Sequence, residues 1–177
     1  QVKYDEPYYS RNPGWAEQRP DFYYDRICEV ANTVCSRNRD KLQNIIAVTL
    51  TVIRDTVLFL DENNEPLIDI ILWLDKRQAD FKNPFPVYKK WIFKIAGMEE
   101  ATKILYRATA SNWIRQNQPD IWEKTAKYVM LPTYLNYKMT GKLVDSQANM
   151  IGHIPFDYKH RVWKKDSSLT TCICDVE

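Results

Sequence analysis

Glycine is scarce in this sequence, with 4 among 177 residues and none of them grouped. A glycine-rich loop that wraps phosphate with backbone N–H groups is therefore not expected. Histidine is scarcer still: only His153 and His160 occur, and neither has a cysteine pair nearby, so a zinc site is not expected. The 4 cysteines are too few and too unevenly placed for a disulfide scaffold. Cys28 and Cys35 sit on one face of an expected helix, while Cys172 and Cys174 lie in the C-terminal tail, and all read as idle thiols of a reducing cytosol. A charge excess of one sign is also missing: 25 basic residues face 23 acidic ones, for a net charge of +2. A dedicated nucleic-acid binder usually shows a clear basic surplus, so no nucleic-acid partner is expected. The longest apolar stretch, residues 45–51, is far too short to span a bilayer. No charged-then-apolar leader opens the chain, so a cytoplasmic location with no membrane partner is expected. Neither a Ser-centred elbow nor a zincin helix is present.

What is present supports a packed core. The chain is 45% hydrophobic and 27% charged over 21.0 kDa, which fits one domain across residues 1–177. It starts at Gln1 rather than Met and reads as a fragment. Residues 1–20 form an irregular opening segment rich in Tyr and Pro. Asp21 stands at the N-cap of an expected helix running to about Asp40, with Phe22, Ile27, Val30 and Val34 spaced for one apolar face. Residues 45–51 are β-branched and apolar, as in a buried strand. Residues 56–60 and 67–73 read as two further strands joined by the polar turn Asp61-Glu62-Asn63-Asn64-Glu65, an antiparallel hairpin. The linker between the first two strands is too short for a crossover, so a three-stranded antiparallel meander is expected. Helices follow over residues 76–81, 87–95, 99–114, 121–128 and 133–139, with Pro119 and Pro132 as starts and Thr140-Gly141 as a stop. Strands followed by helices give an α/β or α+β domain.

Few residues offer chemistry. Arg54-Asp55 leaves a buried strand at a turn, where a rigid fork of donors beside a pure acceptor suits adjacent sugar hydroxyls. The alternative is a structural ion pair closing the turn. Trp73 ends the third strand before Asp75 and Arg77, and its face can stack on a sugar ring, although a tryptophan serves a core equally well. Asp145-Ser146 is read as a turn or as a loop near the cleft. His153 and His160 carry no role, and the basic run Lys159-His160-Arg161 with Lys164-Lys165 reads as a solvated face.

Five short motifs occur in order: Gly14-Trp15-Ala16-Glu17-Gln18, Arg54-Asp55-Thr56-Val57, Ile71-Leu72-Trp73-Leu74-Asp75-Lys76-Arg77, Trp113-Ile114-Arg115-Gln116-Asn117-Gln118-Pro119 and Tyr137-Lys138-Met139-Thr140-Gly141. From about Tyr8 to Trp163 the chain resembles the N-terminal domain of the FGGY carbohydrate kinases, the group of glycerol kinase and xylulokinase. The resemblance implies a partial ribonuclease H-like domain of the actin and hexokinase superfamily, within an enzyme that moves the ATP γ-phosphate onto a sugar or polyol hydroxyl with Mg²⁺. Arg54 and Asp55 match the family's substrate-binding Arg and acidic residue, and Trp73 matches the tryptophan lining the sugar pocket. Ile53 departs from the polar residue usual before the Arg, so the sugar is left open. Residues 107–112 depart from the family's lysine-containing approach to Trp113, so no substrate contact is carried over there.

The resemblance also implies that the phosphate-binding strands precede Gln1 and that the catalytic base follows Glu177. No catalytic, cofactor-binding or metal-binding residue is therefore expected within the chain, which alone is expected to be inactive. A stand-alone, non-catalytic sugar-binding or interaction remnant is the alternative, and a nuclease of the same superfamily using Asp55, Asp69, Asp75 and Asp145 ranks well behind. A homo-oligomer is left open. Family domains pair the strand before Gln1 with residues 45–51, so these are expected to expose an apolar edge and leave the isolated chain marginal or poorly soluble.

Overall fold

A computed structural model describes residues 3–4, 6–82, 85–144, 156–157 and 159–163. Its organising element is β2 (Val57–Leu60), whose four residues are all buried. An unbroken apolar strand of this kind needs cover on both faces. Alternation sends Leu58 and Leu60 to one side and Val57 and Phe59 to the other. On the first side Leu58 and Leu60 join Leu131, Tyr134 and Leu135, with Tyr23, Tyr24 and Ile27 packed against them. On the second, Val57 and Phe59 join Ile114 and Tyr128, with Trp113, Ile121 and Trp122 packed around.

The sheet has the order β1-β3-β2-β4 and is antiparallel throughout. β1 is Glu17–Gln18, β3 is Ile70–Ile71 and β4 is Lys127–Met130. β2 meets β3 at Val57↔Ile71 and β4 from Val57↔Met130 to Leu60↔Lys127. The expected hairpin is present. Its turn is held by Asp61, whose Oδ1 accepts the N–H groups of Asn63 (2.8 Å) and Glu65 (2.9 Å). These bonds hold the Asp61 carboxyl below the usual range, that of Glu65 contributing most.

α1 (Phe22–Arg37) and α6 (Leu131–Thr140) lie on the first side of the sheet, while α4 (Ala110–Asn117) and α5 (Pro119–Lys124) lie on the second. Asp21 is the N-cap of α1 but makes no capping bond with its side chain. Its carboxylate pairs instead with Lys138 of α6 at 2.9 Å, tying the two helices together. α2 (Val87–Ile95) and α3 (Glu99–Ala108) form a further helical pair around Gly97. The two-stranded pair β5 (Phe156–Asp157) and β6 (Val162–Trp163) completes the described elements.

The result is the mixed α/β architecture with an antiparallel sheet that the sequence led us to expect, but several local expectations are overturned. Residues 45–51 form no strand. Both edges of β2 are taken by β3 and β4, so no ladder position beside it is left, and the segment is exposed, with Ile46 at 98% and Val48 at 73%. The meander thus reduces to one hairpin flanked by β1 and β4. Residues 76–81 form no helix: their N–H groups go to other parts of the fold, Lys76 donating to the Gly14 carbonyl (2.8 Å), Arg77 to the Asp75 carboxylate (2.8 Å) and Ala79 to the Arg107 carbonyl (2.8 Å). The helix expected over 99–114 breaks at Thr109, which is extended. That expected over 121–128 ends at Lys124, since Lys127–Met130 pairs with β2. α1 buries less than its spacing implied: Ile27 packs against the core, but Val30 and Val34 are exposed. Its neighbour is a 3₁₀ turn, Arg39–Asn44. Asp145-Ser146, His153, Lys164-Lys165, Cys172 and Cys174 lie outside the described residues.

Candidate functional site: a cavity at the strand ends

The turn before β2 and the turn after β3 converge, because the two strands are antiparallel neighbours. Asp55 lies in the first turn at φ 57°. Aspartate is among the few side chains that enter this left-handed region readily, and doing so turns the chain sharply into the strand. Trp73 follows Leu72 in the second turn, which the Asp75 N–H closes onto the Leu72 carbonyl (2.9 Å). Asp55 and Trp73 both line a cavity of about 290 Å³. The helical side contributes Thr109 and Trp113, and β4 contributes Tyr128. Trp73 is 58% exposed, a large aromatic left out of the core beside this cavity. Arg54 is exposed next to Asp55 and does not line the cavity. Two of the three expected substrate contacts are thus brought together, and the third stands beside them.

A buried ion-pair chain braces one wall. Arg77 and Asp75, both 5% exposed in their side chains, form a two-pronged pair through Nε to Oδ1 (2.9 Å) and NH2 to Oδ2 (2.8 Å). Arg77 NH1 also donates to Glu17 at 3.1 Å. Arg11 then lies 3.7 Å from the other oxygen of Glu17 and pairs with Asp69, which also accepts from the Tyr9 hydroxyl. Planar, doubly bonded arginine–carboxylate contacts are the strong kind, and desolvation makes breaking one costly. The sequence reading passed over Arg77 as a neighbour of Trp73. The available signal was the spacing Trp73-x-Asp75-x-Arg77 beside Gly14-Trp15-Ala16-Glu17-Gln18. Tyr128 was missed because that stretch reads as helix end.

Two of the four carboxylates weighed for a nuclease are otherwise engaged, Asp69 with Arg11 and Tyr9 and Asp75 with Arg77, and Asp145 lies outside the described residues. Among the described residues no group of three or more His, Cys, Asp or Glu side chains is placed to hold a metal ion. The cavity lining does not fit a triphosphate: Asp55 and Asp75 carry negative charge, and the Arg77 guanidinium beside them is taken by Asp75 and Glu17. No helix among the described residues is long and apolar enough to cross a membrane.

Residues 2–174 match the family described as the FGGY family of carbohydrate kinases, N-terminal domain. The chain is 26% identical to a glycerol kinase of Thermococcus gammatolerans over 166 residues, covering 91% of the chain and 33% of that protein. It is 23% identical to a xylulose kinase of Lactococcus lactis over 159 residues, covering 86% of the chain and 30% of the relative. Among solved structures, a ligand-bound xylulose kinase of Lactobacillus acidophilus superposes with a TM-score of 0.61 at 19% identity, over 92% of this chain and 32% of that one. The glycerol kinase of Plasmodium falciparum with ADP gives 0.57 at 18% identity, over 94% and 34%. The chain therefore spans about a third of the length of the relatives it matches. The match over nearly all its residues places the chain in the FGGY family of carbohydrate kinases, as an N-terminal domain.

Proposed function

We propose that this chain supplies part of the sugar-binding wall of an ATP-dependent sugar or polyol kinase, which transfers the ATP γ-phosphate to a carbohydrate hydroxyl. The observation that carries this reading is the convergence of Asp55 and Trp73 on one cavity. A carboxylate accepts hydrogen bonds from sugar hydroxyls, and the exposed indole face covers the C–H side of the ring. Arg54 lies next to Asp55 and donates to a ligand that extends out of the cavity mouth. ATP and Mg²⁺ are held elsewhere in the complete enzyme, together with the base that takes the hydroxyl proton. Phosphoryl transfer needs nucleophile, metal and phosphates positioned together. On this reading the chain alone binds sugar without transferring phosphate, which is also what a non-catalytic sugar-binding remnant of the fold would do.

The test is thermal stabilisation of the 177-residue chain against polyols, pentoses and hexoses, with ATP-Mg²⁺ as a separate arm. Stabilisation grows with the ratio of ligand concentration to Kd, so weak binding shows at high ligand. One sugar class should raise the melting temperature, and Trp73→Ala should abolish that shift while melting normally on its own. ATP-Mg²⁺ should leave the melt unchanged. A sugar shift that survives Trp73→Ala, or no shift with any sugar, sinks the reading.

A further inference from the structure

Asp75 lines the cavity, yet it has nothing left to offer a ligand. An ionised carboxylate has about four lone-pair sites. Here Oδ1 accepts from the backbone N–H (2.8 Å) and Nε (2.9 Å) of Arg77, and Oδ2 accepts from the Ala16 N–H (2.7 Å) and Arg77 NH2 (2.8 Å). Arg77 is committed in turn. Its fork is turned onto Asp75 and Glu17, and its Cζ lies over two indole rings, 4.3 Å from the Trp15 centroid and 5.1 Å from that of Trp113. The two indoles also meet edge to face at 5.3 Å. Trp113 borders the cavity on the helical side, and Trp73 borders it two residues before Asp75.

We propose that Arg77 is a positioning residue for the sugar pocket, acting through Trp113 and through the Asp75 turn that carries Trp73. This rests on the reading of the cavity as a sugar site. The guanidinium does what no apolar side chain of its size can do, because it donates to two buried carboxylates and sits over two indole rings at once. Removing it takes the guanidinium from two buried carboxylates, Asp75 and Glu17, and frees Trp113 to rotate, so the cavity loses its shape on one side. Lysine keeps the charge but lacks the planar fork, so it restores the effect only in part.

The test compares Arg77→Met, Arg77→Lys and Asp69→Asn in the 177-residue chain, well below each variant's melt. Asp69→Asn is the control because it weakens the outer end of the same ion-pair chain and does not line the cavity. Two quantities are measured: the dissociation constant for the stabilising sugar, and the near-ultraviolet circular dichroism of the tryptophans without sugar. Arg77→Met should weaken sugar binding by about tenfold or more, since small misplacements of binding groups are costly, and should change the tryptophan spectrum. Arg77→Lys should fall between Arg77→Met and the wild type, and Asp69→Asn should stay within about twofold, as expected for a site that touches no ligand group. Arg77→Met binding like the wild type with an unchanged spectrum, or Asp69→Asn weakening binding as much, overturns the proposal. A wild-type chain that binds no sugar overturns the sugar-site reading itself, and this inference falls with it.

Discussion

The Tyr9 hydroxyl donates to Asp69 in a partly buried setting, and burial, followed by that hydrogen bond, pushes its pKa up to about 12. An ordinary tyrosine titrates near 10. A folded-state value raised above the unfolded one means that the stabilising contribution is complete below pH 10. It is lost as pH rises from there through about 12. Stability measured across that alkaline range should therefore fall less steeply in Tyr9→Phe than in the wild type, and the variant should lack one late step in tyrosinate absorbance. Equal slopes would show that Tyr9 makes no linked contribution. At this scale the sequence was partly legible. Asp55 and Trp73 were visible as candidates through their match to the family's motifs, since by type alone an ion pair or a core tryptophan served as well. Arg77 was not, because its importance lies in what surrounds it: two carboxylates and two indoles drawn from segments far apart in sequence.

Among the elements, α6 ends where its glycine stands. Gly141 has φ 74° at the C-cap, and its N–H donates to the Tyr137 carbonyl at 2.8 Å. A Cβ placed there would meet nothing within 4 Å, so the cost of Gly141→Ala is backbone strain alone. That cost should be about 1 kcal/mol, read as a lower urea midpoint with an unchanged slope. No change in midpoint would mean that the helix end refits without its left-handed residue. The cap, the Asp61 turn and α2 were readable because each depends on residues next to one another in the chain. β4 was not, because Lys127–Met130 becomes a strand only through the open edge of β2. Local preference yields to such pairing when burial rewards it.

At the scale of the whole molecule, the segment between the 3₁₀ turn and β2 leaves apolar side chains in solvent. Ile45 is 55% exposed, Ile46 98% and Val48 73%, while Leu50 and Val52 pack against the core. Apolar β-branched residues without a ladder partner invite pairing with another chain. The chain should therefore self-associate in a concentration-dependent way. The double variant Ile46→Lys with Val48→Lys should reduce that association at no cost in melting temperature, as measured by sedimentation velocity beside a thermal melt. A wild-type chain that stays monomeric and melts sharply and reversibly would refute this.

By itself the sequence determined the hairpin, the helix ends marked by proline and glycine, and the family. All of these are written in neighbouring residues or in short ordered motifs. Tertiary structure alone decided that β2 lies between β3 and β4, leaving residues 45–51 without a strand partner. It also decided that Asp55, Trp73, Thr109, Trp113 and Tyr128 face one cavity braced by Arg77. The reason is physical: periodicity records which face of a segment is apolar, whereas the partner that covers it depends on competition among all segments for the same buried edges.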